Sequence, residues 1–175
     1  MTERRRLCVV DFSTHISGPM ASRHLVHFGA DVIKVEDPVL GDGNRGFPPF
    51  AHGSGVQHLS LNPGTRSLAL NRESPLWAAT TEALARWADC VIVGNRPSTA
   101  TRLGIDFATL RQHNPSLVYC LISGYGLGGE WSSMPAHGLN MDALAGAMPL
   151  EWHDGSPQIP ATYRSAGTTL AGIHA

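Results

Sequence analysis

The chain has 175 residues, 42% of them apolar, with 19 glycines, 12 prolines and a formal net charge of −1. That length supports one domain with a real core and is short for two. The near-neutral balance excludes a general nucleic-acid surface.

The basic triplet Arg4-Arg5-Arg6 reads as a solvated lead-in to a first strand. That strand, "LCVVDF" (7–12), is β-branched and apolar, and too short for a signal-peptide core or a membrane span. Ser17, Gly18 and Pro19 then offer a cap and an early proline. Met20, Ala21, Leu25 and Phe28 recur at helical spacing, and Gly29 supplies the stop. "DVIKVE" (31–36) is a second strand and "SLALN" (67–71) a third. Ser74-Pro75 opens a helix whose Leu76, Ala83, Leu84 and Trp87 share a face. "CVIV" (90–93) is a fourth strand, 106–113 a short helix and "LVYCLIS" (117–123) a fifth strand.

Strands apolar on both faces and alternating with helices predict a doubly wound, Rossmann-like α/β fold with a parallel sheet. Such folds bind ligands beyond the carboxyl ends of their strands. That edge receives the loops "STHISGP", "DPVLGDGNR", "NRESP", "NRPSTATR" and "SGYGLGGEW". The odd count of cysteines, Cys8, Cys90 and Cys120, all in strand-like runs, predicts reduced, buried thiols in a cytoplasmic protein. No zinc site is expected. His24 and His27, three apart on a helix, lack a third ligand and read as a solvated face.

A dinucleotide is the usual ligand of such a sheet, but the first turn, "DFSTHISGPMAS", has one glycine where that fingerprint needs three. "GYGLGG" (124–129) matches the spacing after the fifth strand, yet "EWSSMP" behind it opens no helix toward a phosphate. Side chains must then hold any phosphates. Arg45, Arg72, Arg96 and Arg102, spread over successive loops at one edge, suit an extended phosphorylated ligand.

The stretches "LCVVDFSTHISGPMASRHLVHFGADVIKVEDPVLGDGNR", "ADCVIVGNRPSTATRLGIDFATLRQHNPSLVYCLISGYGLGGEW" and "HGLNMDALAG" run in order along most of the chain. They resemble the class III CoA-transferases, the family that includes formyl-CoA transferase, carnitine CoA-transferase and α-methylacyl-CoA racemase. The resemblance implies the N-terminal part of a large domain that binds coenzyme A, with CoA or acyl-CoA as ligand and no metal. Its CoA contacts would come from Ile16, Ser17, Leu70, Asn71, Arg72, Glu73, Asn95, Arg96 and Arg102. Gly41, Asp42 and Arg45 match a Gly-Asp-x-x-Arg motif. Asp37-Pro38 stands where some members carry a basic residue, and "NRPS" is one residue shorter than usual.

Family transferases use one aspartate as nucleophile, forming a mixed anhydride and releasing CoA as thiolate. The corresponding segment here, "IPATYRSAGTTLAGIHA", holds no Asp or Glu, and the position falls among Tyr163, Arg164, Ser165, Ala166 and Gly167. The racemase branch pairs that aspartate with a histidine, which His137 of "AHGLNM" matches, beside Asn140. Gly138 stands where that branch has another aspartate. Family members are also more than twice as long, with a second domain and a returning chain. Three readings follow: a divergent transferase part whose nucleophile lies elsewhere, a racemase-like protein, or a non-catalytic CoA-binding half that pairs with a homologous chain. A homo-oligomer or such a pairing is expected, with neither nucleic acid nor membrane as partner.

Overall fold

The computed structural model describes residues 5–175, so Arg4 lies outside the described residues. In chain order the elements are β1 (Cys8–Asp11), α1 (Ser17–His27), β2 (Asp31–Glu36), β3 (Phe50–Ala51) and β4 (Ser54–Gly55). Then come α2 (Val56–Leu61), β5 (Arg66–Ala69), α3 (Trp77–Trp87), β6 (Cys90–Val93), α4 (Pro97–Arg102) and α5 (Phe107–His113). The remainder is β7 (Val118–Leu121), α6 (Gly138–Leu144), β8 (Glu151–His153), β9 (Ser156–Gln158) and α7 (Gly167–His174). A 3-10 turn, Gly43–Gly46, follows β2.

Five strands make one parallel sheet in the order β5-β2-β1-β6-β7. Period-two alternation decides which side chain faces which layer. Val10, Phe12, Val35, Val91 and Val93 bury one face beneath α3, α4 and α5, with Trp77, Leu84, Ala100 and Leu110. Val9, Val32 and Ile92 bury the other against Ala21, Leu25 and Val26 of α1, and α7 packs along α1. The sheet is therefore covered on both sides, as its unbroken apolar strands require. No helix among the described residues is long and apolar enough to cross a membrane.

The chain leaves β1 toward β2 and β5 on one side, and toward β6 and β7 on the other. The order reverses between β1 and β6, so the crevice opens at the exits of those two strands. Gly94 is needed there: a Cβ at 94 would stand 2.8 Å from Ser13 Cβ. All three cysteines are unpaired and half-buried.

Candidate functional site

The loop after β2 is held together by the carboxylates that made it conspicuous. Glu36 accepts from Arg45 Nε at 2.7 Å and Nη2 at 2.8 Å, and from the Asp42 amide at 2.8 Å. Burial alone would raise its carboxyl, but hydrogen bonds from Arg45, Ser67 and the Asp42 amide hold it at about 2. Asp37 accepts from the amides of Val39 and Leu40 at 2.8 and 2.9 Å.

Beneath this loop lies a buried charge cluster. Lys34 Nζ stands 3.0 Å from Asp42 Oδ2 and 3.7 Å from Asp11 Oδ2, and donates to the Ser13 carbonyl at 2.8 Å. Asp42 also accepts from the amides of His15 and Asn44. Asp11 accepts from Ser22 Oγ at 2.7 Å. One ammonium thus ties the exit of β1 to the loop after β2. His15, at φ 66°, sits where the first of those loops is pinned by this cluster.

Two hollows open at the switch point, one on each side. The first, of about 170 Å³, includes Ser17, Gly94, Arg96, His137, Gly167 and Thr168 in its wall. The second is a shallow cleft that includes Glu36, Asp37, Leu70, Arg72, Trp77 and Asn95. Its far wall is fixed by Trp77 Nε1, which donates to the Leu103 carbonyl at 2.7 Å.

The expected CoA contacts and the expected base, His137, therefore divide. Ser17, Arg96 and His137 meet in the first hollow, while Leu70, Arg72 and Asn95 meet in the second. Ile16 caps α1 and lines neither hollow. Asn71 accepts from the Glu73 amide at 2.9 Å in an exposed turn, and Arg102 ends α4 exposed. Arg45 spends two nitrogens on Glu36. Among the described residues, Arg72, Arg96 and Arg102 enter no ion pair.

The segment that lacks an acid in sequence meets one in space. Asp142 of α6, 4% exposed, accepts from Tyr163 Oη at 2.7 Å and from the Gly167 amide at 2.9 Å. This clamp presents Gly167 and Thr168 to the first hollow. Tyr163 is turned away to Asp142, and Arg164 donates to nearby carbonyls. Asn140 Oδ1 accepts from the His137 amide at 2.8 Å and so closes the start of α6. A Cβ at Gly138 would collide with Ser165 Oγ, so the aspartate of the racemase motif requires Ser165 to shift.

Sequence reasoning missed Asp142 and Thr168. The family motif places an acid downstream of Asp142, and Thr168 had only its place in the first turn of α7 as a signal. Among the described residues no group of three or more His, Cys, Asp or Glu is placed to hold a metal.

The sequence profile described as CoA-transferase family III matches residues 6–175. The chain belongs to that family. It is 32% identical over 173 residues to a succinate–glutarate CoA-transferase of Agrobacterium fabrum, covering 94% of this chain and 42% of the relative. It is 34% identical over 169 residues to the β subunit of a succinyl-CoA–L-malate CoA-transferase of Chloroflexus aurantiacus, covering 93% and 40%. The crystal structure of a CaiB/BaiF family protein from Brucella suis superposes with a TM-score of 0.84 at 28% identity, over 96% of this chain and 45% of that one. The chain thus spans about two-fifths of the length of the curated relatives it matches.

Proposed function

We propose that this chain is the CoA-binding part of a family III CoA-transferase, with a thioester lying across the switch point between the two hollows. The observation that carries this is the placement of Arg72 and Arg96, neither in an ion pair with a described residue, beyond the strand exits on either side of the switch point, where an α/β sheet takes its ligand. Arg72, in the second hollow beside Leu70 and Asn95, takes a phosphate of the nucleotide end. The acyl end enters the first hollow, near His137 and Thr168.

The reacting carboxylate comes from outside residues 155–175, which contain no Asp or Glu. A second, homologous chain or a further segment of the protein supplies it, and such a partner also covers Leu170 and Ile173 of α7, each about half exposed. A reducing, cytoplasmic setting fits the three unpaired thiols.

The test is incubation of the purified chain with an acyl-CoA and hydroxylamine in deuterated water, alone and mixed with a homologous chain from a relative, with the relative alone as control. Acyl hydroxamate beyond the sum of the two separate chains supports the proposal. Exchange of the α-proton without CoA release replaces it with a racemase reading built on His137. Binding with neither outcome leaves a non-catalytic CoA-binding half.

A further inference from the structure

Asn95 and Arg96 are consecutive, yet they leave β6 for opposite sides of the switch point. Asn95 enters the cleft that holds Arg72, and Arg96 enters the first hollow. The backbone explains the parting. Arg96 caps α4, its carbonyl accepting from the Thr99 amide at 2.9 Å and the Ala100 amide at 3.0 Å. Pro97 fixes the first helical φ, so the peptide cannot swing to bring the two side chains together.

We infer that Arg96 is a specificity-determining residue that receives the distal carboxylate of a short dicarboxylyl thioester. This rests on the CoA reading given above. Among the described residues, Arg96 is the only lysine or arginine in the wall of its hollow, and it enters no ion pair. Its guanidinium keeps its charge and offers paired N–H groups matched to a carboxylate. Ser123 and Ser132 add hydroxyls to the same wall, while Ile122, Met134 and Met141 supply an apolar side. An apolar wall with one permanent cation suits a short methylene chain that ends in a charge.

The first hollow, of about 170 Å³, has room for a four-carbon acyl group beside Arg96. The nucleotide end has its own unpaired arginine, Arg72, across the switch point. The two cations thus divide one extended ligand between them.

Calorimetric titration with CoA, butyryl-CoA and succinyl-CoA tests the assignment, because the last two share a four-carbon chain and differ in the terminal carboxylate. The wild-type chain is expected to bind succinyl-CoA about tenfold to a hundredfold tighter than butyryl-CoA, the range of a charge-assisted hydrogen bond. Arg96→Met should erase that preference and leave CoA affinity within about twofold. Arg72→Met should weaken all three ligands alike. Equal losses for all three ligands with Arg96→Met would place a phosphate on Arg96 and overturn the inference. A wild-type chain indifferent to the carboxylate also overturns it, while leaving the CoA reading intact. Failure of all three ligands to bind removes the CoA reading and this inference together. Arg96 is exposed, so its replacement leaves the core untouched.

Discussion

Lys34 Nζ stands 3.0 Å from Asp42 Oδ2, with the two side chains 1% and 0% exposed. A charged pair this dry persists because each partner's remaining capacity is filled, Lys34 by Ser13 and Asp11, Asp42 by backbone amides. It joins the two loops on which the proposed rim is built. Replacing Lys34 by Met strands two buried carboxylates and should cost about 3–5 kcal/mol in urea denaturation. Adding Asp42→Asn should recover part of that loss, because one stranded charge is then gone. A single variant as stable as wild type would show the pair to be dispensable.

Glu36 gives the fold an acid dependence of known sign. It is held at about 2 in the fold against an ordinary value of 4.5, so between these values the unfolded chain binds more protons. Its contribution is complete above about 4.5 and is lost as pH falls toward 2. Urea midpoints should drop steeply from pH 4.5 to 3, and Glu36→Gln should be less stable at pH 6 with a flatter slope below it. An unchanged slope in that variant would assign the acid dependence to other groups.

The α6–α7 clasp depends on a glycine. Gly138→Asp, which restores the racemase motif in sequence, drives a side chain into Ser165 Oγ, 2.3 Å from where its Cβ would lie. The variant should lose about 1–3 kcal/mol, the usual cost of overpacking, in chemical denaturation. Wild-type stability would show that segment 163–168 yields readily.

The thiols should be sluggish. Burial pushes Cys90 up to about 11, and it also raises Cys8 and Cys120. Because the thiolate is the reactive form, native alkylation by iodoacetamide at pH 7.5 should be far slower than in urea. Rapid native labelling at Cys90 would contradict its placement beside α1.

The sheet was legible because its strands carry the signal that burial demands. "DVIKVE" runs over the bounds of β2, and "CVIV" over those of β6. Of the three charges in those two runs, Asp31, Lys34 and Glu36, Lys34 gave no hint of its burial, since its partners arrive from residues 11 and 42. The small hairpins carried little hydrophobic pattern, being exposed along their length in β8 and β9. The Asp154-Gly155 turn between them, with φ of 50° and 74°, was nevertheless a readable hairpin signal. At the site, sequence ranked arginines by their loop alone. Arg45 and Arg72 stood equal until the fold gave Glu36 to the first and left the second open. Asp142 was invisible because its partners, Tyr163 and Gly167, lie 21 and 25 residues away.

Asp37 stands where some family members place a basic residue, and it shares the second cleft with Arg72. The amides of Leu40 and Val39 hold its carboxylate below the ordinary range, and Arg72 adds to the effect. The Asp37 carboxylate therefore repels a phosphate bound in that cleft. Asp37→Asn should tighten CoA binding a few-fold, the scale of an exposed ion pair, more at low salt than at high. Weaker binding in this variant would place the phosphates away from Arg72.

The central claim is that CoA lies across the exits of β1 and β6 with a phosphate on Arg72. Calorimetric titration of CoA into the wild-type chain and Arg72→Ala tests it most directly. The account predicts one CoA per chain and a loss of about 1.5–3 kcal/mol in the variant. No binding by the wild type, or equal affinity in the two proteins, would contradict it.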